Sequence, residues 1–453
     1  MTYTRSFLDG HKRVYRHLCK IGFITVTKPS DNQKDVMPQN DVSHEDMPHD
    51  DMPLEGIRVL DLSRVLAGPW VGQTLADLGC DVIKVERPGY GDDTRAWGPP
   101  FVKTPAGENT QESAYYMSAN RGKRSLAVDM TKPEGQKILQ DLALHCDIVI
   151  ENFKVGGLKK FGLDYQSLSK INPKLIYCSI TGFGQEGPYA DKAGYDLMIQ
   201  GMGGLMSITG EAERQPMKVG VAVVDLFSGM YGVTGILAAL FKRERTGRGD
   251  HIDIALMDCQ AAMLANQATN YLVSGKVPHR RGNAHPNISP YEVFETSDGY
   301  MILAVGNDRQ FEAFCDIAGC AELAENPKYQ TNTARVENRE ELVPFVQEIL
   351  RGKPTDYWIK SLETVKVPCG PINDLSQVFA DPHIQQRGIL KEYTHPDGAQ
   401  QQLVSTPIKY GQAKSGAELP PPMLGQHTDD VLSDILGTEK DDIEKLRRIG
   451  AIA

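Results

Sequence analysis

Three groupings in this 453-residue chain have the residue types and spacing to do chemistry. Gly182, Gly184 and Gly187 form a literal GxGxxG just after an apolar, strand-like run ending at Ile180. A dinucleotide-binding loop of that pattern must open a helix whose N-terminal amides meet a pyrophosphate. Here Pro188 and a polar turn through Lys192 follow instead, which argues against a nicotinamide-dependent dehydrogenase. Glu86-Arg87 closes another strand-like run, about where a ribose-binding acid would sit. The arginine suits a ribose phosphate better than a bare diol, through charge-assisted hydrogen bonds. The competing reading is a solvated pair at a strand end. Asp225, the third grouping, opens a predicted helix after an apolar run. The positive helix end there favours an ionised carboxylate, and the same position suits a helix cap.

Metal chemistry finds little support. The eight cysteines are scattered without a CxxC pair and read as reduced thiols, so no metal site is expected. His44 and His49 stand between acids in a stretch that reads as solvated. With 49 basic and 59 acidic residues the formal charge is -10, which gives no broad attraction to nucleic acid but leaves room for local basic pockets. The longest nearly apolar run, Leu226 to Phe241, has 16 residues including Ser228 and three glycines, short for a membrane span.

The elements that must position these groups alternate. Ile57–Leu62, Val82–Val85, Ser125–Val128, Asp147–Glu151 and Leu175–Ile180 read as strands. Between them Pro69–Leu78, Pro133–His145 and Tyr165–Ile171 read as helices. Such βαβ repetition predicts an α/β fold with a doubly wound, Rossmann-like parallel sheet. A helix follows from Asp225 to about Arg245, with Gly229, Gly232 and Gly235 lining a face that admits a close neighbour. Strand-like His251–Ile254 precedes a helical stretch to Leu272 and a glycine and histidine loop, 282–290. Tyr291–Phe294 and Tyr300–Val305 alternate like a separate antiparallel unit, with helices at 308–320 and 338–351 completing a smaller α+β domain. Two short helices follow Pro420-Pro421-Pro422.

The organisation read from this pattern is a disordered leader at 1–51, a large domain from 52 to 250, a linker at 251–285, a small domain at 286–389 and a return to the large domain at 390–453. The leader is basic up to Lys20, then acidic with repeated Met-Pro. It fits either a mitochondrial transit peptide or a stretch ahead of a start at Met52, which leaves a cytoplasmic location with a mitochondrial alternative.

The words themselves become specific when read together. Leu54-Glu55-Gly56-Ile57-Arg58-Val59-Leu60-Asp61, Leu66-Ala67-Gly68-Pro69, Val82-Ile83-Lys84-Val85-Glu86-Arg87-Pro88, Gly91-Asp92-Asp93-Thr94-Arg95 and Asn120-Arg121-Gly122-Lys123-Arg124-Ser125 resemble the class III CoA-transferases. So do Glu151-Asn152-Phe153, Gly220 through Asp225, and Leu424-Gly425-Gln426-His427-Thr428, in order from about residue 53 to the end. That family includes formyl-CoA, carnitine and glutarate CoA-transferases, and the α-methylacyl-CoA racemases.

The resemblance implies an interlocked homodimer and a substrate, coenzyme A thioester, with no tightly bound cofactor, no nucleic acid and no membrane. It places CoA against Leu66, Ala67, Arg87, Val128, Asp129, Met130, Thr131, Asn152, Phe153 and Lys160, although relatives carry lysine where this chain has Thr131. Asp225 matches the family's catalytic aspartate, a carboxylate nucleophile that forms a mixed anhydride and then an enzyme-bound thioester. Each addition develops an oxyanion, for which Gly282-Asn283-Ala284-His285 is the candidate donor loop, in place of the glycine run of some relatives. A racemase needs opposed acid and base groups, and the histidine that racemase relatives place before the position of Asp196 is Tyr195 here, a poor base at neutral pH. Transfer of CoA to a free carboxylic acid is therefore favoured over racemisation, over a dehydrogenase and over a non-catalytic acyl-CoA-binding protein. Arg64 and Arg121, with Arg281 and His285 behind them, are the candidates for holding a distal carboxylate of the acceptor acid. Asp196 is expected to be structural or to orient the site.

Overall fold

The structure is a computed structural model that describes residues 52–453, so the leader expected at 1–51 lies outside the described residues. Six strands form one parallel sheet: β1 (Arg58–Asp61), β2 (Asp81–Glu86), β3 (Lys123–Ala127), β4 (Ile148–Glu151), β5 (Ile176–Thr181) and β6 (His251–Ala255). Their spatial order is β3-β2-β1-β4-β5-β6. The strands are nearly continuous apolar runs because both faces are covered. Val59, Val82, Ile148 and Ile176 lie in one register row and face a core shared with helices α1 (Ala67–Asp77) and α5 (Val223–Thr246). Their neighbours Leu60, Ile83, Val149 and Tyr177 face the opposite core, shared with α2 (Pro133–Leu144) and α3 (Tyr165–Ile171). The chain runs outward through β1, β2 and β3, then returns to β4 beside β1. Loops leaving β1 and β4 therefore diverge, and a crevice opens at the carboxyl ends of those strands.

Helix α5 begins two residues before the predicted start and follows α4 (Asp196–Met202) in the chain. A Cβ on Gly229 would stand 3.0 Å from the Ala67 carbonyl oxygen, one on Gly232 would stand 2.9 Å from Val71, and one on Gly235 would stand 3.1 Å from Ile252. The glycine row is thus the face on which α5 meets α1 and the sheet. By length and composition α5 could cross a membrane, with a hydropathy of 1.6 over 18 of its residues, where the shorter run read from the sequence fell short. Its Val224, Val233, Ile236 and Leu240 are buried in the core instead.

A second sheet is antiparallel, built from β7 (Tyr291–Glu295), β8 (Tyr300–Ala304) and β9 (Cys369–Pro371) over its own core of Phe294, Phe311, Phe314 and Trp358. The helix read as continuous to Leu272 is two, Leu256–Met263 (α6) and Ala265–Ser274, broken where Ala265 takes a positive φ of 43°. Two hairpins, Phe101–Lys103 with Asn109–Ser113 and Leu390–Thr394 with Gln400–Val404, have no counterpart in the sequence reading. The C-terminal segment docks beside β3. His427 exchanges hydrogen bonds with the Ser125 backbone, and the Ala453 amide donates to the Ala127 carbonyl.

Ion pairs stand inside this apolar frame. Lys123 reaches Asp61 at 2.9 Å and Lys84 reaches Asp92 at 2.8 Å, all four side chains fully buried. Burial pulls the Lys123 ammonium down to about 8 although Asp61 opposes the shift. Burial also acts against the Lys84 charge, but Asp92, Asp61 and Glu86 outweigh it and hold the lysine above its ordinary value. Removing one partner of such a pair strands a charge in the core. Lys123→Met should therefore destabilise the fold by about 3–5 kcal/mol, read as a lowered urea midpoint, and the added Asp61→Asn change should recover part of that loss.

Candidate active site

Asp225 is the third residue of α5, and the cap belongs to another element. Asp196, the first residue of α4, directs Oδ1 at the start of α5 and accepts the Val224 amide at 2.8 Å and the Asp225 amide at 3.4 Å. Its Oδ2 accepts the Gln200 amide at 2.6 Å, and Gln200 Oε1 accepts the Val219 N–H at 2.9 Å. Through this chain of bonds Asp196 caps the start of α5 and ties it to α4. The same bonds correct two expectations for Asp225. The residue is not the cap, and its carboxyl is not biased toward ionisation: burial, followed by the charge of Asp196, pushes it up to about 7. The physical reason is that Asp196 already occupies the first amides of the helix, so their positive potential is answered before Asp225 meets it.

The carboxylate of Asp225 looks into a cleft of about 470 Å3 at the ends of β1, β4 and β5, lined among others by Arg64, Leu66, Ala67, Asn152, Phe153 and Lys160. Around Arg64 and Phe153 this cleft adjoins a second of about 430 Å3, between the loops that leave β2 and β3. Arg87, Val128, Asp129, Met130 and Thr131 line that one. All ten residues expected to touch CoA therefore border one crevice system at the point where the strand order reverses. Lys154 and Lys192 join Arg64 and Lys160 in the first cleft, and Arg87 lies over the Tyr90 ring in the second, so an elongated anion meets cations along its length. At the Thr131 position, the amide and hydroxyl both go to Asp129 Oδ1, at 2.9 and 2.6 Å, where a lysine would have brought charge.

The walls are tied across the switch point. Asn152 accepts the Arg64 amide at 2.9 Å and donates to the Arg64 carbonyl at 2.7 Å. The next residue, Val65, takes a φ of 70°, a strained geometry for a β-branched residue, and its amide points at both oxygens of Asp92 at 3.2 and 3.3 Å. Arg64 itself is exposed, paired with Asp93 at 2.9 Å and set over the Phe153 ring, within reach of a ligand carboxylate.

Other candidates lie elsewhere. Glu86 is buried and accepts from Arg95, Ser125 and the Asp92 amide, which leaves it no free face for a ribose. Arg121 is buried against Asp77 outside the cleft lining, so binding a distal carboxylate would first require that ion pair to open. The Gly282–His285 loop does not border the Asp225 cleft of its own chain. The amides of Gly282, Ala284 and His285 donate to the carbonyls of Gly210, Arg281 and Tyr291. After Gly182, Gly184 and Gly187 no helix opens until Asp196, and Gly182 instead crosses the backbone of Gly194 at a separation no side chain would allow. Tyr195, exposed, lines the cleft just ahead of α4.

Two residues escaped the sequence reading. Tyr115 stands near enough to feel Asp225 and Asp196, which add to burial in pushing its phenol up to about 12. Glu151, at the end of β4, is buried and accepts the Phe153 amide at 2.8 Å. No spacing marks Tyr115. Glu151 stood inside the Glu151-Asn152-Phe153 word and passed as part of it.

Comparison with known proteins agrees with this geometry. The profile of CoA-transferase family III matches residues 54–428. A succinate–glutarate CoA-transferase of Agrobacterium fabrum is 55% identical over 388 residues, covering 85% of this chain and 96% of that protein. The human succinyl-CoA:glutarate CoA-transferase is 44% identical over 415 residues, covering 92% of each. The crystal structure of a CAIB/BAIF family protein from Brucella suis superposes with a TM-score of 0.75 at 51% identity, covering 85% of this chain and 99% of that one. With its fold, its crevice and its carboxylate at the end of that crevice accounted for, the chain belongs to CoA-transferase family III.

Proposed function

We propose that this enzyme moves CoA from succinyl-CoA to a free dicarboxylic acid of the glutarate class, with Asp225 as the nucleophile. The observation that carries the reading is that Asp225 lines a cleft with Arg64, Lys154, Lys160 and Lys192, which shares Arg64 and Phe153 with a second cleft lined by Arg87. Relatives named for succinate and glutarate supply the donor and acceptor class. In the first step a carboxylate oxygen of Asp225 attacks the thioester carbon and the C–S bond breaks, giving an aspartyl-succinyl anhydride and CoA thiolate. The thiolate then attacks the aspartyl carbonyl, releasing succinate and leaving CoA on Asp225 as a thioester. Glutarate attacks that thioester, a second anhydride forms, and the returning thiolate takes the glutaryl group and frees Asp225. Arg64, exposed at the crevice and held by a surface ion pair and the Phe153 ring, suits the far carboxylate of either acid.

The same reading includes a homodimer. Phe227, Met230, Tyr231, Leu237 and Phe241 leave an apolar stripe of α5 open to solvent, and Leu272 is exposed on the helix Ala265–Ser274. The Gly282–His285 loop, which does not line the Asp225 cleft of its own chain, would serve as an oxyanion donor across such a subunit boundary. Light scattering should return twice the chain mass, and Phe241→Glu should shift it toward one.

Activity should follow the Asp225 carboxylate. Asp225→Ala should lower kcat by at least about a thousandfold, and hydroxylamine added with succinyl-CoA should trap residue 225 of the unmodified enzyme as a hydroxamate. Turnover near normal in the alanine variant would overturn the covalent route. Transfer should rise with pH through about 7, since the attacking form is the one burial disfavours. Stability should run the other way. A carboxyl held above its ordinary value in the fold gives up its proton more readily once unfolded, so its protonation supports the fold at low pH and that support is lost as pH rises to about 7. Asp225→Asn should accordingly melt roughly 1–3 °C above the parent enzyme at pH 8, by a margin that narrows as the pH falls and closes near about 4.

A further inference from the structure

A smaller cavity, about 80 Å3, lies on the far side of the segment that follows β4. Glu151, Ser179, Tyr177, His251, Tyr165 and Gln185 border it. Lys154, Val155 and Gly157 border both this cavity and the cleft that holds Asp225, so the segment is a partition with the cleft in front and a polar chamber behind. Behind the partition stands a connected row of groups. Glu151 Oε2 accepts the Phe153 amide at 2.8 Å, the Ser179 hydroxyl bonds the Glu151 carboxyl, and Ser179 Oγ lies 3.0 Å from His251 Nε2. Tyr165 stacks on the His251 ring at 4.7 Å and fixes its plane.

Glu151 is 6% exposed, and among the described residues no cation pairs with it. A lone buried carboxyl of this kind is costly, and burial does push it up to about 7 against the pull of Ser179 and the Phe153 amide. What it does for the fold in return is local. It holds one amide, that of Phe153, in the turn whose other end is clamped by the reciprocal Asn152–Arg64 bonds. Phe153 lines both clefts, as do Arg64, Asp93 and Phe161, and it lies under Arg64.

We infer that Glu151 is a positioning residue for the CoA ester: from the chamber behind the partition, backed by Ser179, it fixes the Phe153 amide and so sets the surface that Asn152, Phe153 and Lys160 present to the ligand. The inference rests on the reading that the crevice takes CoA, and it separates from that reading in the test. Because the carboxyl works here as an acceptor of one N–H and not as a charge, the amide of glutamine can replace it, whereas alanine cannot.

The experiment is to titrate free CoA into the full-length enzyme by calorimetry, and to measure steady-state transfer from succinyl-CoA, for the parent, Glu151→Gln, Glu151→Ala and Ser179→Ala. Loss of the bond should weaken CoA binding by about tenfold in Glu151→Ala and raise the succinyl-CoA KM alike, with kcat within about threefold. Glu151→Gln should recover most of the affinity, and Ser179→Ala should fall between. A general loss of packing would lower kcat and the melting point together and would not be rescued by glutamine. Unchanged affinity in Glu151→Ala, a fall in kcat alone, or a glutamine variant as weak as the alanine one would overturn the assignment. Should Glu151→Ala not fold, unchanged CoA affinity in Ser179→Ala overturns it equally. A parent enzyme that binds no CoA would instead remove the functional reading on which the inference stands.

Discussion

Everything at the crevice hangs on the Asp92 carboxylate. It receives the fully buried Lys84 ammonium at 2.8 Å, the Thr94 amide and hydroxyl at 2.9 and 2.7 Å, and the amide of Val65. Lys84 outweighs the cost of burial and draws Asp92 down to about 2, so this anion is present across any working pH. A permanent charge in the core is worth its desolvation only if it orders something, and what it orders is the turn at Val65. A β-branched residue at φ 70° would relax without that acceptor. Arg64 and Leu66, on either side of Val65, would move with it, and these two begin the wall of the cleft that Asp225 faces.

A second layer of charge locks the loop that carries Asp92. Glu86 binds the Asp92 amide and takes Arg95 through both carboxylate oxygens, at 2.7 Å each, while Arg95 continues to Glu112 at 3.1 Å and to the Tyr116 hydroxyl at 2.7 Å. The pair that looked like a ribose site in the sequence is thus the buttress of the loop beside it. Arg87, the first residue after β2, is left out of that buttress: it lines the second cleft and lies over the Tyr90 ring.

Much of this was legible before any coordinates. The alternation of β-branched runs with helical spacing located all six strands of the main sheet within about two residues, because a parallel sheet covered on both faces demands such runs and little else produces them. The words around Leu66, Arg87, Val128, Asn152 and Asp225 converge on one crevice, since the loops at the carboxyl ends of parallel strands are where a switch-point site must be built. The hairpins at 101–113 and 390–404 escaped because their strands are short and largely polar, so neither period stands out. The pairing of Arg121 with Asp77 escaped for a different reason: 44 residues separate the partners, and nothing local in either marks the other.

The cap of α5 shows why distance in sequence matters at Asp225. Local rules assign an aspartate near a helix start to its own cap, and they predict that it will be ionised there. Asp196, 29 residues earlier, takes the amides instead and leaves Asp225 one half-turn inside, facing a desolvated cleft and a like charge. The consequence is chemical. A carboxylate stabilised by three amides would be a stable anion and a poor nucleophile, whereas one whose charge the site disfavours gains by transferring it to a thiolate. The cap thus leaves the Asp225 carboxyl in the crevice with its charge disfavoured. Glu151 and Asp225 are then matched opposites: both are carboxyls pushed up to about 7 by burial, one bonded from behind to an amide of the wall and the other open to the ligand. The first is held behind the wall of the cleft, and the second lines the cleft itself.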